Sequence, residues 1–282
     1  IRHFIYANLH KFKIKDALIK SNQELEYIKL KNTFFRNLSH EFKTPLNLIF
    51  SSIQLMERQA DQMEVKDRKK MENYLGIVKQ NSFRLLRLVN NLIDLTKFDS
   101  ESYKINKQNV NIISLIRNVT LSVEDYVFSK NKVLKFNNSL DKLITACDPI
   151  EIERVLLNLL SNAVKFTDEN DIITVSINKE EEYVIISVKD TGIGINKENQ
   201  ENIFEDFKQI NDTLTRNSEG SGIGLSIVKA IIEMHNGEIK LESEPGIGSN
   251  FIIKLPIYTL EKEETTQMEH LNNLVEMEFS DI

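Results

Sequence analysis

Apolar side chains recur at helical spacing through the first hundred residues, where glycine and proline are rare. Between about residues 10 and 59 there is no glycine, and Pro45 is the only proline. Six apolar side chains in this stretch step by threes, fours and sevens, which keeps them on one helix face. They are Phe35, Leu38, Phe42, Ile49, Ile53 and Met56. The pattern predicts one long helix.

A second apolar stripe follows a charged stretch, Glu57 to Lys70, which is typical of a loop or of frayed helix ends. Its members are Leu75, Val78, Leu85, Val89 and Leu92, and the helix should end near Phe98. Two such stripes joined by a short connection predict an antiparallel helical hairpin. One hairpin buries its stripe poorly, so we expect two copies to form a four-helix bundle.

The pattern changes after Asp99. Residues 99–108 are polar and indicate a linker, and alternating apolar positions beyond it predict strands. These strands contain Ile173/Val175/Ile177, a continuously buried run Val184–Val188, Ile239/Leu241 and Phe251/Ile253/Leu255. Helical segments are predicted at about 111–130, 150–166 and 223–235. The expected fold of this part is an α+β sandwich, with helices on one mixed sheet.

Length and composition narrow the possible functions. A chain of 282 residues is long enough for two domains. Its net charge of −6 and pI near 5.6 argue against a nucleic-acid partner. The single cysteine, Cys147, excludes a disulfide framework and a cysteine metal site. No apolar run is long enough for a membrane helix. Because the chain begins at Ile1, we expect an upstream sensor or membrane segment to be missing.

His40 has the most unusual surroundings of the five histidines. It lies two residues from both Leu38 and Phe42, so it should project away from the stripe into solvent, where a neutral imidazole is nucleophilic. Pro45 should bend the helix one turn later. A zinc-protease helix is excluded because position 44 is Thr rather than His. A lone helix histidine is more often plain surface, and His3, His10, His235 and His270 are interpreted so.

Two asparagines four residues apart begin the polar pattern of the second half. Asn158 and Asn162 should share one helix face, opposite the Leu and Val positions that face the core. Amide oxygens suit Mg²⁺, which also takes water and phosphate oxygens. Lys165 adds a charge that can meet a phosphate. Taken alone, two such asparagines are equally typical of an ordinary polar helix face.

Three further segments follow in order along the chain. Asp190-Thr191-Gly192-Ile193-Gly194 comes directly after a strand, where a carboxylate can accept from an adenine amino group and glycines admit a flat ring. Phe204 and Phe207 could anchor the following loop, or belong to the core. Gly220, Gly222 and Gly224 open a helix and can cradle phosphate, although neither a dinucleotide fingerprint nor a P-loop fits. Residues 208–219 are typical of a mobile lid.

The run Ser39-His40-Glu41-Phe42-Lys43-Thr44-Pro45-Leu46 resembles the phosphoacceptor motif of sensor histidine kinases of the HisKA type. The resemblance implies that His40 accepts the γ-phosphate of ATP and passes it to an aspartate of a response regulator. It also implies that Glu41 is a nearby base or orienting carboxylate. Thr44, by the same resemblance, positions water when the kinase dephosphorylates its regulator. Phe42 replaces a commoner aliphatic residue, which should affect packing only.

The ordered set of segments between Glu153 and Leu225 resembles the ATP-binding domain of histidine kinases, gyrase-type ATPases and Hsp90-type chaperones, in its histidine kinase version. The resemblance implies that ATP and Mg²⁺ are the cofactors and that Asn158 and Asn162 bind the metal and phosphates. The remaining ATP-binding residues it implies are Lys165, Phe166, Asp190, Gly192, Gly194, Phe204, Phe207, Gly220, Gly222, Gly224 and Leu225.

The expected architecture is therefore a helical hairpin in a dimeric four-helix bundle, followed by an α/β sandwich ATP-binding domain. The expected divisions are a signalling helix at 1–27, a dimerisation and phosphotransfer domain at 28–100, the ATP-binding domain at 107–258 and an acidic tail at 259–282. The expected protein is a homodimeric protein histidine kinase of a two-component system, the cytoplasmic portion of a membrane-anchored bacterial sensor. A gyrase- or chaperone-like ATPase, an ATP-binding scaffold and a regulator phosphatase are the alternatives.

Overall fold

A computed structural model of the chain describes most of both predicted parts. The described residues are 15, 42–56, 68–98, 103–205, 223–261, 275 and 277–280. Residues 42–56 are helical and form α1, and α2 spans Arg68–Phe98. The predicted end of the second helix at Phe98 is therefore confirmed, and α2 begins inside the charged stretch assigned to the connection. Most of the long helix predicted for residues 10–59 lies outside the described residues.

Helix α2 has two different faces. Leu75 and Val89 of the predicted stripe are 55% and 41% exposed. In contrast, the polar side chains of Arg87, Asn91 and Asp94 are buried against the second half of the chain. Only part of the apolar stripe thus stays open in a single copy, since its other members are partly buried. The neighbouring polar face of α2 is covered.

The second half is an α/β sandwich, as expected. In chain order its elements are β1 (Gln108–Asn111), α3 (Ile112–Ser122), α4 (Glu124–Ser129), β2 (Val133–Asn138), β3 (Ile144–Cys147), α5 (Pro149–Lys165), β4 (Ile172–Glu180), β5 (Tyr183–Asp190), α6 (Lys197–Gln200), α7 (Gly224–Met234), β6 (Glu238–Glu244) and β7 (Gly248–Pro256). Five strands form one sheet in the order β2-β4-β5-β7-β6, in which only the β2–β4 pair is parallel. Strands β1 and β3 form a separate antiparallel pair.

The core lies between the five-stranded sheet and the buried faces of α3, α5 and α7. Ile173, Val175 and Ile177 of β4 are fully buried, as their alternation predicts. Strand β5 also alternates, because Ile185 and Ser187 are only half-buried between fully buried neighbours. The expectation of a continuously buried run at Val184–Val188 is therefore wrong, and β5 has one face on the helices and one facing outwards.

Several short elements depart from the expected pattern. The helix predicted at 111–130 is broken at Val123 into α3 and α4. Just before the break, the hydroxyls of Thr120 and Ser122 bond to the carbonyls of Ile116 and Val119 at 2.7 Å, which competes with the helical ladder. Strands β1, β2 and β3 and helix α6 were not predicted, since four to six residues carry too little periodicity.

His235 is a correction to the sequence-based interpretation, because it is 2% exposed rather than on the surface. Its Nδ1 lies 2.8 Å from the carbonyl of Ile231, and its Nε2 accepts from the backbone amide of Asp148 at 2.9 Å. The Asp148 carboxylate in turn caps the start of α5 by accepting from the amides of Ile150 and Glu151. His235 thus joins the end of α7 to the start of α5.

No helix within the described ranges is long and apolar enough to cross a membrane.

Candidate functional site

Asp190 is the last residue of β5, the central strand of the sheet, and two backbone amides fix its carboxylate. Its Oδ1 accepts from the backbone amides of Gly192 at 2.9 Å and Ser249 at 3.2 Å. The side chain is 6% exposed, and this burial raises the pKa of its carboxyl despite the two amides, which oppose the rise. Among the described residues, no group donates to Oδ2, which can therefore accept from a ligand.

The two glycines after Asp190 let this loop lie against its neighbours. A Cβ at Gly192 would overlap the carbonyl oxygen of Phe166 at the end of α5, where the Ile193 amide already donates at 3.1 Å. Gly194 has φ of +67°, and a Cβ there would overlap the carbonyl of Glu244. Both positions therefore require glycine. The loop brings the Asp190 carboxylate next to the C-terminal end of α5.

Asn158 and Asn162 lie together on α5, as their spacing predicts. The Asn162 side-chain amide donates to Oδ1 of Asn158 at 3.3 Å, and Asn158 is 6% exposed. Gly224, the first residue of α7, packs directly on Asn158, because a Cβ there would lie 2.7 Å from its Nδ2. The structure thus brings the paired amides and the start of the glycine-rich helix to one place.

The other predicted site residues in the described ranges have mixed surroundings. Phe166 is 39% exposed just past α5, with the Lys165 ammonium 5.5 Å from its ring centre. Phe204 packs edge-on against Phe251 of β7, with ring centres 6.3 Å apart, so the core interpretation fits it best. Leu225 is partly buried against the core.

Part of the predicted site lies outside the described residues. This holds for His40, Glu41, Phe207, Gly220, Gly222 and the predicted lid at 208–219. Thr44 is described, and it is exposed on α1 one residue before the buried Pro45.

Lys132 is a positioning residue that the sequence analysis missed. Its ammonium donates to the carbonyls of Val164 and Thr167, both at 2.6 Å, and to the Thr167 hydroxyl at 3.0 Å. Burial lowers the pKa of Lys132, while nearby carboxylates oppose this. Carbonyls at a helix end need such donors. A single lysine 32 residues upstream of Val164 carries no local signal of this role.

A second missed feature is a polar network between α2 and α5. Arg154 contacts the Asp94 carboxylate at 2.5 Å and donates to Oδ1 of Asn91 at 3.2 Å. On its other side, the Arg154 guanidinium is 3.8 Å from Glu151, which accepts from the Tyr103 hydroxyl at 2.5 Å. Burial and this carboxylate raise the pKa of Tyr103. The predicted linker at 99–108 is therefore packed on α5 at Tyr103.

The chemistry of these side chains fits a nucleotide with a divalent cation. Asp190 offers a fixed acceptor at the start of a glycine-containing loop. Asn158 and Asn162 offer amide oxygens about two turns and one turn before Lys165 on α5. Within the described residues, no group of three His, Cys, Asp or Glu side chains could hold a metal. A cation here would thus rely on amide, phosphate and water oxygens, as Mg²⁺ does.

The sheet order, the paired asparagines and the Asp190 loop define an ATP-binding domain of the class shared by histidine kinases, DNA gyrase B and HSP90. Residues 147–259 match the family model described as "Histidine kinase-, DNA gyrase B-, and HSP90-like ATPase". Residues 30–101, which include His40, match the model "His Kinase A (phospho-acceptor) domain". The chain belongs to the sensor histidine kinase family.

Relatives and solved structures agree with this membership. The sensor histidine kinase WalK of Bacillus subtilis is 35% identical over 235 residues, which are 82% of this chain and 37% of WalK. Full-length ShkA in complex with AMPPNP is 26% identical with a TM-score of 0.60, covering 79% of this chain and 45% of that one. ThkA in complex with the response regulator TrrA is 24% identical with a TM-score of 0.57, covering 83% and 64%. The chain spans between 18% and 38% of the first curated relatives it matches.

Proposed function

We propose that this chain transfers the γ-phosphate of ATP to His40 and then to an aspartate of a response regulator. The observation that carries the proposal is the Asp190 carboxylate, whose loop packs on the end of α5, the helix that bears the Asn158–Asn162 pair. The same chain has a phosphoacceptor-type region that includes His40. The phosphoacceptor-type region on the same chain favours a kinase over a scaffold that only binds ATP.

In the ATP-binding half, Asp190 accepts from the adenine amino group through Oδ2. Gly192 and Gly194 let the loop pack against the backbone of Phe166 and Glu244, which holds Asp190 in place for this bond. Asn158 and Asn162 hold Mg²⁺, which when bound neutralises charge on the phosphates, and Lys165 contacts phosphate. Gly220, Gly222, Gly224 and Leu225 shape the phosphate turn. Phe166 and Phe207 border the nucleotide, and Phe204 supports this loop from the core through its contact with Phe251.

At the acceptor, an imidazole nitrogen of His40 forms a bond to the γ-phosphorus as the bond to the ADP oxygen breaks. Glu41 orients the imidazole or takes up its proton. The phosphoryl group then moves to a receiver aspartate, which leaves His40 neutral again. Positioning and charge neutralisation account for most of the catalysis in transfers of this kind. Thr44, which is exposed on α1, orients water when the regulator is dephosphorylated.

The chain acts as a homodimer whose partner is a receiver domain. The exposed members of the apolar stripe on α2, Leu75 and Val89, support a second hairpin as their cover. The partner class is supported by ThkA, a kinase of similar fold that was solved with the response regulator TrrA. Since its relatives are sensor kinases, we place this chain in the cytoplasmic portion of such a sensor.

The proposal is tested by incubating the chain with γ-labelled ATP and Mg²⁺. The expected product is acid-labile, base-stable label that His40→Gln removes while ATP binding survives. His270→Gln is the matched control and should keep the label. Label on histidine in the His40→Gln chain would overturn the acceptor assignment. ATP hydrolysis without any protein label would favour the gyrase- or chaperone-like alternative, and binding without turnover would favour a scaffold.

A further inference from the structure

A short segment near residue 280 is buried between the two halves of the chain. This docking segment comprises Val275 and residues 277–280, and a helical bond from the Phe279 amide to the Val275 carbonyl at 3.0 Å shapes it. Glu278 is 1% exposed and Phe279 is 4% exposed. For the docking segment, the sequence predicts only an acidic tail at 259–282. Its burial shows that it is part of the packed structure.

The docking segment is held to α2 by polar contacts. Arg87 pairs through Nε with the Glu278 carboxylate at 3.0 Å, and it also donates to the Glu278 carbonyl at 2.9 Å. The side chains of this pair are only 11% and 2% exposed. Gln80, two turns earlier on α2, donates to the Ser280 carbonyl at 3.2 Å. Glu278 and Ser280 are thus both held on one helix.

The same segment also contacts the ATP-binding domain. The Ser161 hydroxyl of α5 donates to the Glu278 carbonyl at 2.9 Å, so this carbonyl accepts from both α2 and α5. The Phe279 ring packs edge-on against Tyr126 of α4, with ring centres 4.9 Å apart, and belongs to the main buried cluster. One residue, Glu278, therefore bridges the hairpin and the domain.

The groove between α2 and α5, which the docking segment fills, adjoins the side of the nucleotide site proposed to hold the phosphates. Ser161 contacts the docking segment, and Arg154 contacts α2. On α5, Arg154 lies one turn before Asn158 and Ser161 lies one turn after it, so the three side chains occupy neighbouring parts of the helix surface. Helix α2 also contacts α7, whose Gly224 packs on Asn158. Helix α2 is thus the helix that packs next to the proposed phosphate site. The acceptor His40 is on a different part of the chain, just before α1.

We propose that the groove between α2 and α5 is a binding site for an acidic and aromatic segment, filled by this chain's own docking segment, and that its occupancy slows phosphorylation of His40. The proposal rests on the proposed function. The same histidine must be reached first by ATP and then by a receiver domain, so the ATP-binding domain must change position during the cycle. Because the Glu278 carbonyl accepts from both Arg87 of α2 and Ser161 of α5, movement of the domain away from α2 breaks at least one of these contacts. A buried polar group that loses its partner is unfavourable.

The first measurement is the distance between the two halves. Spin labels are attached at Asn73→Cys on α2 and Lys179→Cys on β4, both exposed, in copies diluted into unlabelled chain. Burial raises the pKa of Cys147 to about 12, so this thiol should stay unlabelled. We expect one narrow distance distribution, which Glu278→Gln or Arg87→Gln broadens. The matched control is Glu238→Gln, an exposed glutamate of β6.

The second measurement is the initial rate of label incorporation at saturating ATP. Glu278→Gln should raise this rate several-fold with an unchanged Kd for ATP, and a peptide of residues 273–282 should lower it again. Arg87→Gln should raise the rate in the same way. Because Arg87 lies on α2, outside the ATP-binding domain, a folding defect of that domain would not explain the result. An unchanged distance distribution, or a slower rate in both variants, would overturn the proposal. Label that persists on histidine in His40→Gln would instead overturn the proposed acceptor and leave the distance result valid.

Discussion

The carboxylate of Asp190 on β5 accepts a hydrogen bond from the backbone amide of Ser249 on the neighbouring strand β7. The bond is 3.2 Å long, and a second amide, that of Gly192, reaches the same oxygen at 2.9 Å. Two separate parts of the backbone therefore fix one oxygen and orient the other. A preorganised acceptor of this kind binds a ligand without first losing side-chain freedom.

We expect Asp190→Asn to weaken ATP binding by about 10- to 100-fold, because a charge-assisted hydrogen bond contributes roughly 1.5–3 kcal/mol. Titration with a fluorescent ATP analogue would measure this. Asp141→Asn, at an exposed aspartate, is the matched control and should bind like the parent chain. Equal affinities in the two variants would contradict the role proposed for Asp190.

Gly192→Ala should lower the free energy of unfolding by about 1–3 kcal/mol, as overpacked sites do, and should abolish ATP binding. The added methyl group would overlap the Phe166 carbonyl and push the loop away from α5. Gly76→Ala in α2 is the control, because nothing described lies within 4 Å of its new methyl group. That change should stabilise the chain by about 0.5–1 kcal/mol through helix propensity. Thermal unfolding with and without ATP would measure the stability of both variants and show whether ATP still stabilises each of them.

Lys132→Met should lower the free energy of unfolding by about 1.5–3 kcal/mol, because three acceptors at the end of α5 lose a charged donor. It should also weaken ATP binding, since this helix end carries Lys165 and Phe166. Lys135→Met makes the same substitution at an exposed lysine of β2 and should have little effect on either quantity. Denaturant unfolding and ATP titration of the pair would show whether the two losses occur together.

Stability should fall as the pH drops below about 6.5, and His235 should cause part of this fall. Burial lowers the pKa of His235 in the folded chain, so its contribution is complete above the unfolded pKa and is lost as the pH falls through the folded one. One such group changes the unfolding free energy by at most about 1.4 kcal/mol per pH unit. His235→Gln should flatten the profile between pH 7 and 5. An unchanged slope would show that other groups dominate.

The sequence predicted the long periodic elements well. The end of α2 at Phe98, helix α5 and the alternating strand β4 follow from local spacing, and the expected fold class is confirmed. The Asn158–Asn162 pair also follows from spacing on one helix. Short strands such as β1 were missed, because four residues carry almost no periodicity. Their pairing partners supply most of the information that makes them strands.

What the sequence alone determined is the set of side chains that periodicity and motif place locally: the helical stripes, the strand faces and the polar residues of the ATP-binding motifs. Tertiary structure alone decided which distant groups meet them. Lys132 caps α5, His235 joins α7 to α5, and Glu278 bridges α5 to α2. Each is one polar side chain whose partner is 32 or more residues away, and no local pattern encodes such a contact. Burial then makes these contacts matter, because a polar group removed from water must find its partner within the fold.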